Sequence, residues 1–414
     1  MLHKGVTHLD MFSPSWLVRT NPFTNTYVIR YPKGYLIEVE PWLYRILAIE
    51  QEEQDLQQII PRVQREIVEP NLTVEDINKV LKYVQHKTSQ RKTEDPSSYP
   101  RTKYVLDFNQ FNGIFKLLRP FRWLILLFSL LLIYLSFSQP EIITVGTTLL
   151  TSRRWLYQDL LWLVPIFYFS RWLFTPLHEL GHNLWYYWGT GKSGKLYYHF
   201  PGIIRFTAFT TTEDTLFLPK WYQRVMVHLG GVWMEFTLLS VLLLVFPTAD
   251  PFFLGALILR VMVGATFNLN FLSSRTDGHQ LVSDLMGFTT LKETFSDWLI
   301  TRLNPKIEPT LDINRKTHYF LTAYLVSGIL LILFLVALNF AFVGRIIPSL
   351  IYWTVLASVE VFNQGLVEGG VMVSLLVLSY LYYMDLAIRV VRSRTTLVNA
   401  VKILRKGLRA GVVG

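Results

Sequence analysis

The chain has 414 residues, 51% hydrophobic and only 17% charged, against about a quarter charged in soluble domains, which excludes a disordered chain and argues against an ordinary soluble enzyme. Lys and Arg total 40 against 30 Asp and Glu, a net charge of +10; because the basic residues flank long apolar runs, this points to a membrane and not to nucleic acid. There is no cysteine, so disulfides, thiolate metal sites and cysteine nucleophiles are excluded and any metal must be held by His, Asp or Glu.

In chain order, the first long apolar run begins only near Phe121. Met1-Leu2-His3-Lys4 leads into a mixed polar stretch without the apolar core of a secretory signal, so no cleavable signal is expected. Residues 1–103 therefore read as a small cytosolic α+β domain. Thr26–Arg30 and Tyr35–Val39 are β-prone runs around Pro32-Lys33-Gly34, which predicts a hairpin. Two helices are expected next, one near Asp55–Ile67 and one beginning at Thr73. In the second, Asp76 forms a variant capping box, and Val74, Ile77, Leu81 and Val84 share one face. Lys87–Lys103, rich in Ser, Thr, Pro and charge, reads as a linker.

Residues 104–388 read as a membrane domain, a mainly α polytopic helix bundle of about six spans, each about the 20 residues that a bilayer core requires. They are expected near 121–138, 160–186, 225–247, 252–272, 318–343 and 365–388. Lys103, Lys116, Arg119 and Arg122 precede the first span, and Lys192, Lys195, Lys220, Arg275, Lys292, Arg302 and Lys306 lie in the second and fourth loops. A basic tail, 389–414, carries Arg389, Arg392, Arg394, Lys402 and Arg405, whereas the intervening loops hold little beyond Arg153, Arg154 and Arg345. That asymmetry predicts both termini in the cytosol. No internal repeat is visible, which disfavours an inverted-repeat transporter.

At the end of the second span stands His178-Glu179-Leu180-Gly181-His182, an H-E-x-x-H sequence. Two imidazoles at i and i+4 of a helix lie on one face, one turn apart, where they can chelate a zinc ion. Glu179 projects beside them, placed to accept a proton from a metal-activated water. An ionisable cluster within an apolar span is costly and reads as a functional site. Zinc normally takes a third protein ligand; His199, Glu213, Asp214, His228, Asp277, His279 and Asp284 are candidates. Asp277-Gly278 stands out because it follows the cytosolic end of the fourth span, at the membrane level expected for the histidine pair. Gly278 would let the backbone turn there. The competing reading of Asp277 is an ordinary helix cap.

The H-E-L-G-H sequence in one span, with a distant Asp-Gly ending another, resembles the site-2 protease family of intramembrane zinc metalloproteases. The segment from Asn268 through Asp277-Gly278-His279 to Asp284 is similar to that family's asparagine-containing "N-P…D-G" stretch. The likeness is greatest to the bacterial peptide zinc metalloprotease subgroup linked to peptide natural-product maturation, whose entry into the next span Pro219–Gly231 also resembles. The likeness covers roughly residues 160–290. It implies zinc bound by His178, His182 and Asp277, with Glu179 as the catalytic acid–base residue. Here neither Asn268 nor Asn270 is followed by proline, and His279 stands where the family often has an aromatic residue. The N-terminal domain resembles, more faintly, winged-helix modules that capture leader peptides by adding them as an extra strand.

The expected function is therefore hydrolysis of a peptide bond in a membrane-associated peptide or single-span substrate, in a bacterial cytoplasmic membrane, with no cofactor beyond zinc and no nucleic-acid partner. The alternative is a non-catalytic membrane peptide-binding, export-accessory or immunity protein that retains a zinc site. A substrate helix must unwind before its carbonyl can be attacked. Tyr197–Phe200 and Ile203–Thr210, β-prone around Pro201-Gly202, could either hold an extended substrate or simply cover the mouth of the bundle. Asn268 or Asn270 could clamp the substrate or stabilise an oxyanion, or either could merely end a helix. Finally, Glu235 in the third span, Arg171 in the second and Arg260 in the fourth are intramembrane charges, costly unless paired. Depth ranks Arg171 ahead of Arg260 as the partner of Glu235, in a structural pair that positions the zinc helix.

Overall fold

The computed structural model describes residues 17–20, 27–30, 36–39, 41–52, 102–140, 142, 157–200, 207–212, 215–246, 251–272, 276–288, 291–303, 315–331 and 333–334. Helix dominates. Among the described residues three short strands come first, β1 (Leu17–Thr20), β2 (Tyr27–Arg30) and β3 (Leu36–Val39), followed by helix α1 (Pro41–Glu52). They form an antiparallel sheet of order β1-β2-β3, with Ile29 opposite Val18 on one side and Ile37 on the other. The expected hairpin is β2–β3; β1 adds a strand that no turn signal announced, and α1 likewise precedes the two helices expected near 55–67 and from 73. Those two lie outside the described residues. The core of this unit is Val28, Ile29, Ile46, Leu47 and Ile49, all buried.

The second unit begins with β4 (Thr102–Asp107), which ends the stretch read as linker, and continues through α2 (Asn112–Leu118) into α3 (Arg122–Phe137). Next come α4 (Tyr157–Thr190), β5 (Lys195–His199), β6 (Thr207–Thr210), α5 (Trp221–Val245) and α6 (Pro251–Asn268). Helices α7 (Asp277–Met286) and α8 (Leu291–Leu303) follow, and residues 315–331 form α9. Helices α3 to α6 fall on the first four apolar runs and α9 on the start of the fifth. The sixth run, 365–388, and the basic tail lie outside the described residues.

Two helical stretches, Phe108–Phe137 and Trp221–Val245, are long and apolar enough to cross a membrane by length and composition. Their packing differs. On α3, Leu124, Leu127, Phe128, Leu131, Tyr134 and Leu135 are exposed, whereas α5 is central among the described helices, packed against α3, α4, α6 and α7.

The tightest helix pair is α4 with α5. Gly181 of the H-E-L-G-H sequence and Gly230 face one another, and a Cβ built on either would fall closer than 3.0 Å to the other's backbone carbonyl. Small residues at a crossing let backbones approach this closely, as membrane helices do where apolar burial alone gives little drive to associate. Around this contact Leu184, Trp185, Trp188 and Val227 pack with Phe108 and Phe115 from the other side. Trp188 is fully buried and its indole N–H donates to the Phe115 carbonyl at 3.0 Å. Toward the far end of α5, Phe174, Leu239, Leu243, Leu257 and Val261 form a second cluster.

Strand β5 runs centrally in a second antiparallel sheet of order β4-β5-β6. Its register sets Thr102 opposite His199 on one side and Tyr197 opposite Phe209 on the other, where the two rings stack at 5.5 Å. Strand β6 is an edge lying against α4. The β-prone stretch expected at Ile203–Thr210 is a strand at Thr207–Thr210; residues 201–206 are outside the described set. Arg19 of β1 joins the N-terminal sheet to the rest, donating from Nη1 to the carbonyls of Leu216 and Asp284, each at 2.9 Å. Burial and the nearby Arg224 lower its pKa to about 10, against the opposing pull of Asp284.

Because the Gly181–Gly230 contact leaves no room for a side chain, Gly181→Ala should cost at least the ~1–3 kcal/mol typical of an overpacked core. Gly113→Ala is the control, since a Cβ there meets nothing within 4 Å. The thermal midpoint of each purified variant in detergent provides the measurement, with a clear fall expected for Gly181→Ala only.

Candidate metal centre

The helical spacing of the H-E-x-x-H sequence does what i, i+4 spacing predicts. The His178 and His182 rings lie edge to face with centroids 4.6 Å apart, and their Nε2 atoms are 3.0 Å from each other. Asp277 comes from a different helix, at the first turn of α7. Its Oδ2 lies 3.0 Å from His178 Nε2 and 3.3 Å from His182 Nε2. Zinc bonds of about 2.0–2.1 Å at tetrahedral angles set neighbouring donors about 3.3 Å apart, so this triangle has the size of three zinc ligands sharing one ion. Among the described residues it is the group of His, Asp and Glu side chains able to hold a metal.

Local structure accounts for each donor's aim. His182 donates its Nδ1 proton to the Val227 carbonyl at 2.7 Å, which fixes the ring with Nε2 turned toward the other two donors. Asp277 is not the cap of its helix: Thr276 is the N-cap, its hydroxyl accepting from the His279 N–H at 3.4 Å. The aspartate carboxylate is therefore released from backbone duty and points across to the histidines. Gly278 lies so close to Leu269 that a Cβ would collide with that residue's backbone. The small residue after Asp277 thus serves close approach of α7 to the end of α6. Burial disfavours the charge on Asp277, but the adjacent imidazoles of His182 and His178 outweigh it and hold the carboxyl well below the usual carboxylate range.

Opposite the donors stands Gly231 of α5. A Cβ at that position would lie closer than 3.0 Å to both histidine Nε2 atoms, in the space where the donors converge. The floor of the site is bare backbone. Glu179 is buried and close enough to interact electrostatically with His182, His178 and Asp277. Thr210 of the edge strand β6 donates to the Glu179 carbonyl at 3.5 Å, so the sheet edge and the motif helix meet beside the metal-binding set.

The remaining candidate ligands lie elsewhere. His199 Nδ1 is 3.0 Å from the Thr102 hydroxyl across the β4–β5 pair. His228 binds Asp284 at 2.7 Å, tying α5 to α7. His279 Nδ1 donates to the Phe271 carbonyl at 2.9 Å and serves as a turn residue. Glu213 and Asp214 are outside the described residues. Asn268 ends α6, while the Asn270 side-chain oxygen accepts from the Leu272 N–H at 3.0 Å and its carbonyl accepts from the Thr276 hydroxyl. The Asn270 amide thus contributes to the turn carrying the chain from α6 to Asp277. Of the two arginines expected near Glu235, Arg260 makes the observed ion pair, Nη1 to Oε1 at 3.2 Å. Gly231 was missed by the sequence reading. Its role depends on how α5 crosses α4, which no local pattern in the sequence carries.

Comparison of the chain with protein-family models, with curated proteins and with solved structures finds no match.

If this triangle is a metal centre, Gly231→Ala should abolish binding by filling the space between the donors, and Asp277→Ala should weaken it severely, while Gly113→Ala should bind as the parent does. Metal analysis of the purified variants after equilibration with zinc is the measurement. Full occupancy in Asp277→Ala would remove that residue from the ligand set.

Proposed function

We propose that the protein is an intramembrane zinc metalloprotease of the site-2 type, hydrolysing a peptide bond in a membrane-associated substrate. One observation carries this reading: His178, His182 and Asp277 converge at zinc-ligand spacing with Glu179 buried beside them. The donor set, two imidazoles and one carboxylate, suits zinc and leaves a fourth position open, as catalytic zinc sites do. When bound, zinc supplies a Lewis acid and lowers the pKa of water to about 7.

The chain's own residues then do the following. Glu179, not itself one of the donors, takes the proton of the attacking water and delivers it to the leaving amine. The edge strand β6 hydrogen-bonds an extended substrate alongside α4, because a peptide bond still inside a helix has its carbonyl occupied. Asn268 or Asn270, at the α6 end beside Asp277, donates to the substrate backbone or to the oxyanion. The apolar outer face of α3 and the apolar length of α5 support an integral membrane protein. The distribution of Lys and Arg supports both termini in the cytosol of a bacterial cell. A ribosomally made, modified peptide is the substrate class we favour, its leader captured by the N-terminal sheet as an added strand. The Arg19 bonds to Leu216 and Asp284 support a domain seated against the helix that carries Asp277.

The separating experiment is Glu179→Gln. The amide keeps the shape of the side chain, so zinc content should match that of the parent while cleavage of precursor peptides falls by at least about 10²-fold, the lower end of what a positioned acid–base group contributes. Cleavage by the parent should also stop on chelation and return with zinc. An undiminished rate in Glu179→Gln would overturn the protease reading and favour a peptide-binding membrane protein with a zinc site.

A further inference from the structure

We propose that Glu235 is a positioning residue for His178: its carboxylate accepts the Nδ1 proton of that imidazole and so fixes Nε2 as the lone pair offered to the metal. The proposal rests on reading His178, His182 and Asp277 as a metal-binding set. It extends that reading to a residue that touches neither metal nor substrate.

The two histidines are anchored unequally. A ligating imidazole needs its second nitrogen anchored, usually to a carbonyl or carboxylate, so that ring orientation and tautomer are both set. His182 has such an anchor in the Val227 carbonyl. His178 Nδ1 is buried and has no hydrogen-bonding partner among the described residues, and neither has Glu235 Oε2. The nearest carboxylate to that nitrogen is Glu235, whose Oε1 stands 3.6 Å from it. A gap of that size closes with a small rotation of either side chain. The donor and the acceptor each lack a partner and lie next to one another.

Placement on α5 makes the pairing systematic. Val227, Gly231 and Glu235 are four residues apart, so they line one face of the helix over two turns. The facing helix α4 offers His182 and His178 with the same spacing. Val227 anchors the first imidazole, Gly231 leaves space for the two Nε2 atoms, and Glu235 stands at the second imidazole.

Arg260 explains how a carboxylate can be kept there. It holds Glu235 Oε1 at 3.2 Å and is itself braced over the Phe174 ring at 5.0 Å. Gly264, one turn further along α6, leaves the pair its room: a Cβ there would lie 3.0 Å from Arg260 Nη1 and 3.5 Å from Glu235 Oε2. The arginine occupies one carboxylate oxygen, leaving the other, which has no partner among the described residues, to turn toward His178.

A purely structural Glu235–Arg260 pair and a positioning Glu235 predict different results, read out as metal affinity by chelator competition and as the visible spectrum of the cobalt-substituted protein. Two variants are needed. Glu235→Asp keeps a charge that the long Arg260 side chain can follow, but withdraws the carboxylate from His178. The double variant Glu235→Gln/Arg260→Met removes both charges, so no buried guanidinium is left alone. We expect both to bind metal about 10–100-fold more weakly than the parent, the usual cost of losing such an anchor, with an altered cobalt spectrum. Parent-like affinity and spectrum in Glu235→Asp would overturn the proposal, as would parent-like affinity in a folded double variant. Should the double variant fail to fold, Glu235→Asp alone decides. A parent protein that binds no metal would instead overturn the metal-centre reading itself, and the positioning role with it.

Discussion

The backbone contact between Gly181 and Gly230 is what the rest of the site depends on. A pair of histidines one turn apart on a helix is only half a metal site, because a flat helix face gives its donors nothing to close against. With no side chains at the crossing, α4 and α5 come close enough for Gly231 to stand directly under the two Nε2 atoms. The same closeness brings the Val227 carbonyl to 2.7 Å from His182. A crossing with alanines would open the pair by the width of a methyl group and take the backbone anchor out of reach. The glycines are therefore part of the geometry of the donors, although none of them donates.

Burial then governs the charges. His178, Glu179, His182, Glu235 and Arg260 are all buried, where an isolated ionised group costs several kcal/mol. The fold deals with this by proximity. Asp277 sits among imidazoles and Glu235 against a guanidinium, and the Arg260 face is covered by an aromatic ring. Each acidic group thus has a positive or proton-donating neighbour, and the two clusters meet at His178. Such an arrangement is stiff, since moving any one member exposes another's charge to an apolar surround.

The sequence showed some of this and hid the rest, for physical reasons. His178, Glu179 and His182 were legible because helical periodicity alone brings i and i+4 together. Asp277, nearly a hundred residues away, was legible only through its membrane level and its following glycine. The competing cap reading could be settled only by backbone angles that make Thr276 the cap. The helices on the first four apolar runs were legible because a long apolar run is a coarse and robust signal, whereas β1 and α1 were not announced by any strong turn or cap. Glu235 was recognisable as a charge needing a partner, and depth ranked Arg171 before Arg260. The contact with Arg260 depends on which face of α6 turns inward, information carried by packing against Phe174 and Gly264. His228 and Asp284 looked like metal ligands by residue type and are instead each other's partners. Composition identifies which side chains can bind a metal, and only topology decides which of them meet.

The third donor shows how far from the site its support extends. Asp277 opens α7, and α7 is held two turns later by the 2.7 Å bond between Asp284 and His228 of α5. At that same residue the Asp284 carbonyl accepts from Arg19 of the N-terminal sheet, whose other bond goes to Leu216 just ahead of α5. A short helix fixed at one point can pivot; fixed at its C-terminal half by two partners, it presents its N-terminal carboxylate in one direction. Gly278 against the Leu269 backbone supplies the remaining constraint at the N-terminal end. The position of Asp277 is thus set by residues drawn from both sheet and bundle, spread over more than 250 residues of sequence. His178 and His182, by contrast, are placed by one helix and its nearest neighbour. The two histidines depend on local periodicity and the aspartate on the tertiary fold, so the aspartate is the donor most exposed to any change in how the N-terminal strands sit.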